Sequence, residues 1–233
     1  MPVLLPIGHL DAGPSEGPSR APVTALVAVV CVVVFVVFQD GGQSGAWVRT
    51  FGAVPADLFG GGAGWRVATV ATSIVSHASW SHLLYNLVAL WVFGAAVERS
   101  VGSARFAALF AVGGMVATLA QAALWPASEA AIVGASGAVA ATAGAFAVAY
   151  PRARMLVVAV FLTFPVRVWI ALGAWALVEA GSGVLGTLSE GGGVGSVAHA
   201  AHLAGFGVGI TAMAAATLLR NGHREGWAFL RRS

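Results

Sequence analysis

Six stretches of the chain are nearly free of charge: about Val23 to Phe38, Leu83 to Val97, Phe106 to Leu124, Ser136 to Tyr150, Val166 to Ala180 and Ala198 to Leu219. With their flanks they approach the roughly 20 apolar residues that a spanning helix needs. A bilayer interior admits little besides helices and closed barrels, because every backbone N–H and C=O must find a partner there without water. The pattern predicts an all-α membrane protein, a bundle of six transmembrane helices. Met155 to Phe164 is also apolar but too short to cross alone. Between the first two spans, Gln39 to Ser76 mixes Trp47, Phe51, Leu58, Phe59 and Trp65 with Arg49, Asp57 and Arg66. Aromatics and charges in one segment suit the membrane interface, so residues 39–81 are expected to form an outer interfacial loop.

The ends differ from the middle. Residues 1–20 carry four prolines, several glycines, Asp11 and Glu16, and read as a short flexible cytosolic tail. Ser44-Gly45-Ala46 could serve as a signal-peptide cleavage site, but the preceding tail is long, acidic and poor in positive charge. The membrane domain is expected over residues 21–220, followed by a basic cytosolic tail over 221–233.

Composition agrees with a membrane class. The 233 residues are 58% hydrophobic and 9% charged, with a mean hydropathy of +0.86, far from the usual quarter of charged residues in soluble domains. The net charge of +3 comes from arginine, since the chain has no lysine. With the N-terminus inside, Arg49 and Arg66 alone fall outside and the other ten arginines face the cytoplasm, a strong positive-inside bias. Both termini are therefore expected in the cytoplasm. No basic patch with interleaved aromatics points to nucleic acid, and Cys31 alone rules out an intrachain disulfide. Abundant Ala, Gly, Val and Arg fit a GC-rich bacterial genome, and hence a plasma membrane.

Two polar residues stand out at membrane depth. Ser136 lies in Gly134-Ala135-Ser136-Gly137 at the start of one span, and His202 lies in Ala201-His202-Leu203-Ala204-Gly205 near the start of the last. From Gly137 to Tyr150 a helix rises about 21 Å, and from His202 to Leu219 about 26 Å, so both side chains sit at a similar level below the outer surface. Gly137, Ala141 and Ala145 on one helix, and Ala201, Gly205 and Gly209 on the other, form small-residue faces that permit close approach. Serine beside histidine is the arrangement of a nucleophile and its base. Each alone would also pass as an N-cap serine and a packing histidine. Upstream, His82 and Asn86 are four apart, share a helical face, and could aim donors at one developing oxyanion together with the Ser136 backbone N–H.

These motifs, in this order, resemble the rhomboid intramembrane serine proteases: His77 and the His82-x-x-x-Asn86 pair, then Gly134-Ala135-Ser136-Gly137, then Ala201-His202-Leu203-Ala204-Gly205 continuing to Gly209. Trp65-Arg66, and Gly94 with Glu98-Arg99, are similar to further family features. The resemblance covers about Trp65 to Gly209. It implies a six-helix fold with a water-filled cavity opening outward. Ser136 would be the nucleophile and His202 the general base and then acid, with His82, Asn86 and the Ser136 N–H forming the oxyanion hole. It also implies single-span membrane protein substrates, a dyad with no carboxylate orienting the histidine, and no metal or other cofactor. Glu179 is expected to end the fifth span facing water, His199 to line the cavity, and the glycine-rich Gly181 to Val197 to form a mobile cap loop. The family's usual aromatic residue one turn after the serine is Ala140 here, leaving Phe206 or Phe146 to pack against His202.

Two other function classes fit some of the same residues. A catalytically silent rhomboid-like protein would bind or chaperone membrane helices, a reading that Ala140 favours and that the presence of both Ser136 and His202 opposes. A zinc transporter could use His77, His82, His199 and His202, but the sequence has no repeated half and no carboxylate-lined pathway.

Overall fold

A computed structural model describes residues 5–10, 20–61, 64–159, 162–189 and 198–230. Helix α1 (Pro22–Val33) starts at a proline, whose missing N–H costs nothing in a first turn, and runs on through a π-helical turn, Val34–Phe38. Its valines are mediocre helix formers in water. In lipid the helix is still the way to satisfy the backbone locally. Short helices α2 (Gly45–Phe51), α3 (Pro55–Phe59) and α4 (Thr69–Thr72) follow in the interfacial segment. Ser44 caps α2 by accepting the Trp47 N–H at 3.1 Å.

Helix α5 (Trp80–Ala89) is capped by Ser79 and passes through a π-helical turn, Leu90–Gly94, into α6 (Ala95–Val101). Gly102, at φ 85°, separates α6 from α7 (Ser103–Leu124). Then come α8 (Ser136–Ala149), α9 (Val168–Ser189) and α10 (His199–Leu230). Among the described residues, four helical stretches are long and apolar enough to cross a membrane: Trp80–Val101, Ser103–Leu124, Val168–Leu185 and His199–Leu219. Pro22–Phe38 and Ser136–Ala149 are shorter apolar helices. The protein is a mostly helical, multi-pass membrane protein.

The structure departs from the expected all-α bundle in three places. Strands β1 (Leu5–Leu10), β2 (Arg154–Ala159) and β3 (Leu162–Arg167) form an antiparallel sheet in that order. Part of the expected N-terminal tail is thus a strand, while residues 1–4 and 11–19 lie outside the described residues. The apolar run too short to cross becomes a hairpin because Met155 and Val157, paired with Val166 and Phe164, alternate onto one face toward an interior cavity. Second, α9 continues through Gly181 to Ser189, where a loop was expected; residues 190–197 of that loop are not described. Each glycine costs about 1 kcal/mol relative to alanine in a helix, less than backbone left unpaired in lipid. Third, α10 extends to Leu230, into the segment expected as a tail.

Helix α8 is the centre of the core, packed between α7 and α10. Residues Gly137 to Phe146 are all buried. The small-residue faces meet directly: Gly205 lies against the Gly137 carbonyl and Gly209 against the Ala141 carbonyl, with no room for a Cβ at either glycine. Gly144 meets the Phe206 carbonyl in the same way. At the opposite end, buried Glu98 ties three elements together. Its carboxylate accepts from the Val23 N–H (2.9 Å), the Thr24 N–H (2.8 Å), the Thr24 hydroxyl (2.7 Å) and the Ser103 hydroxyl (2.6 Å).

Candidate active site

Ser136 is the first residue of α8. The chain reaches it through Gly134 at φ +126°, a conformation open to glycine and strained for other residues, and the Gly134 N–H is anchored on the Ser73 carbonyl at 2.9 Å. The reason for glycine is also spatial. A Cβ at this position would lie 2.6 Å from His82 Cε1, 2.7 Å from His82 Nε2 and 3.7 Å from Ser136 Oγ. The serine hydroxyl and the His82 imidazole edge therefore flank one small gap, beside the first free N–H groups of α8.

His82 occupies the first turn of α5, where its N–H is held by Ser79 Oγ at 3.2 Å. Asn86, one turn later and buried, donates one amide hydrogen to the His82 carbonyl at 2.9 Å, leaving the other for the cavity that it lines. His77, just before α5, is fully buried and contacts the His82 ring edge-on, with centroids 5.2 Å apart. Its peptide group is gripped from both sides: the His77 N–H donates to Gln39 Oε1 and Gln39 Nε2 donates to the His77 carbonyl, each at 2.9 Å. Burial, together with neighbouring His82, pushes the His77 imidazole down to about 4, so it is neutral at ordinary pH.

His202 lies in the first turn of α10, its N–H bonded to the Ala198 carbonyl at 3.1 Å. The start of α10 is tied to α7 by the Ala201 N–H, which donates to Gln121 Oε1 at 3.2 Å. Ser136, His82, Asn86 and His202 all line one cavity of about 1010 Å³. It runs down past Ala140 and Ala143 on α8 to the hairpin residues Met155 and Val157. The four residues expected to carry chemistry are thus brought to one space. No group of three His, Cys, Asp or Glu side chains among the described residues is arranged to hold a metal ion.

One expectation about the histidine is corrected. Glu179 does not face water: its side chain is 12% exposed and its Oε2 lies 2.9 Å from His202 Nδ1 and 2.7 Å from His199 Nδ1. A carboxylate therefore does contact the histidine. Trp175 lies beside the His202 ring, 6.2 Å away at 36°, and Phe206 packs edge-on against Trp175 at 5.5 Å. Phe146 packs with Phe93 and Tyr150. A lone acid within an apolar span was the signal for Glu179, and its spacing of four from Trp175 puts both on one face of α9.

Over 95 residues the chain is 39% identical to the rhomboid protease GluP of Bacillus subtilis (strain 168), covering 41% of this chain and 18% of that protein. Over 55 residues it is 36% identical to the rhomboid protein YdcA of the same organism, covering 24% of this chain and 26% of that one. The matched segments are thus about a fifth and a quarter of these relatives' lengths. The rhomboid domain family model matches residues 62–220, well over half of the chain. This span holds Ser136, His202, His82 and Asn86, and the chain belongs to the rhomboid family.

Proposed function

We propose that this rhomboid is an intramembrane serine endopeptidase that cleaves single-span membrane proteins near the outer boundary of a bacterial plasma membrane. In this reading the six apolar helices all cross the bilayer, both termini face the cytoplasm, and Gln39 to Ser76 lies on the outer face, as the arginine distribution favours. The observation that carries the reading is the meeting of Ser136, His202, His82 and Asn86 at one cavity. The likeness to GluP supports the reaction class.

The steps follow from the groups. His202 Nε2 takes the Ser136 hydroxyl proton as Oγ bonds to the scissile carbonyl carbon, and the carbonyl π pair moves onto oxygen. The oxyanion is met by the Ser136 N–H at the positive end of α8, by His82 and by the free Asn86 amide hydrogen. His202 then passes its proton to the leaving nitrogen as the C–N bond breaks, and water repeats the sequence to release the acyl group. A spanning helix hides its peptide bonds in its own hydrogen bonds. Substrates that unwind near the interface, with small residues at the cut, fit this cavity best.

The test is cleavage of a single-span model substrate in liposomes by the wild type, Ser136→Ala and His202→Ala. Both variants should be inactive, and a serine-directed covalent inhibitor should label Ser136 only while His202 is present. Equal cleavage by all three proteins would remove the serine mechanism and leave a helix-binding rhomboid.

A further inference from the structure

We propose that α9 seats the catalytic histidine: Glu179 is a positioning residue that fixes the hydrogen of His202 on Nδ1, and Trp175 flanks the ring in place of the aromatic absent at Ala140. This rests on the serine endopeptidase reading. One carboxylate oxygen takes two imidazole nitrogens, at 2.9 Å from His202 and 2.7 Å from His199. A carboxylate in that position only accepts, so each imidazole carries its hydrogen on Nδ1. The remaining nitrogen of His202, Nε2, then has no hydrogen and a free lone pair, the form a general base needs. When the Ser136 proton arrives on Nε2, the carboxylate faces the resulting imidazolium without taking a proton itself, the division of labour seen in serine-histidine-acid triads.

The seat comes from one face of one helix. Trp175 and Glu179 are four apart on α9, so the indole and the carboxylate reach His202 together. The burial of Glu179 is otherwise hard to justify, since α9 is the most exposed of the membrane-length helices, with 11% of its apolar window buried, and a carboxylate inside a span is costly without partners. His199 is the second partner. It lies three residues before His202 on the same face of α10 and shares the load of compensating that charge.

The experiment measures kcat and KM in liposomes for full-length wild type, Glu179→Gln, Glu179→Asp and His199→Ala, with Ser136→Ala as the blank. An amide can offer either an acceptor or a donor to Nδ1 and so no longer fixes the tautomer. Glu179→Gln should lower kcat roughly 10- to 100-fold, less than the full 10⁴-fold seen when a triad carboxylate loses its charge, because His202 keeps its packing. KM should stay near the wild-type value. Glu179→Asp, which keeps the acceptor one methylene farther back, should recover a large part of the lost turnover. His199→Ala should lower turnover less than Glu179→Gln does, since the carboxylate then still serves His202. Wild-type kcat in Glu179→Gln, while Ser136→Ala is inactive, would overturn the positioning role and leave the protease reading intact. Loss in His199→Ala as deep as in Glu179→Gln would also overturn it, by showing that the carboxylate only pins α9 to α10. Cleavage by Ser136→Ala at the wild-type rate would remove both readings at once.

Discussion

Replacing Gly134 by alanine probes the site with a single carbon atom. Two costs can be read from the geometry. The backbone at φ +126° is strained for any residue with a Cβ, by about 1–3 kcal/mol. The new carbon would stand 2.6 Å from His82 Cε1 and 2.7 Å from Nε2, against an ordinary contact of about 3.5–4.0 Å. Either the imidazole or the Gly134 loop must therefore retreat by about 1 Å, and a displacement of that size is enough to cost about 10² in rate. Losing a well-placed oxyanion donor costs about 10²–10³ in turnover. The expected result is a fall of that size in kcat for Gly134→Ala, with a smaller loss in stability. Substrate cleavage in liposomes and thermal unfolding in detergent would be measured on the same preparations. Gly207→Ala on α10 is the control, because nothing lies within 4 Å of a Cβ there, and it should match wild type in both assays. A Gly134→Ala enzyme that turns over like wild type would refute the placement of His82 at the oxyanion.

Other outcomes follow from the same contacts. Asn86→Ala should reduce turnover about 10²-fold or more with little change in KM, and an unchanged rate would dismiss its role. Glu98→Ala leaves two backbone N–H groups and two hydroxyls without their acceptor, so it should cost roughly 3–5 kcal/mol in denaturant unfolding, with Glu98→Gln milder. Gly209→Leu should separate α8 from α10, because Ala141 leaves no space for its side chain, and abolish both stability and cleavage. His77 adds a pH dependence. Its folded value of about 4 lies below the ordinary histidine value of 6.5, so the unfolded chain binds its proton first and stability should fall as pH drops from about 6.5 to 4. His77→Phe should flatten that slope, and an unchanged slope would assign the effect to another group. A chelator should leave cleavage untouched in a serine mechanism.

The helices and the pairing of small faces were legible in the sequence because both are local rules. Apolar stretches long enough for lipid read directly as helices, and Gly137, Gly205 and Gly209 recur at spacings that mark a close crossing. The hairpin was not legible: Met155 to Phe164 is as apolar as a helix, and its alternation matters only once α8 and α9 leave a cavity for Val157 and Val166 to face. Glu179 failed for a similar reason. Its position predicted a helix end at the water surface, but α9 runs on through Gly181 and Gly183 to Ser189, so about three further turns of helix follow the carboxylate where a glycine-rich loop was expected. Partners contributed by a different helix are invisible to spacing rules along one chain.

The two-way grip of the Gln39 amide on the His77 peptide has a consequence for how this protein can vary. The two residues are 38 apart, and the paired hydrogen bonds act like a single rung of a sheet that closes the interfacial excursion into a ring. Length added at the exposed tip, beside Gly60 and Gly61, raises the entropic cost of closing that ring only logarithmically, by about 0.6 kcal/mol per doubling. The ring's base, and His82 five residues beyond it, stays in register while its outer rim is free to diverge in length and sequence.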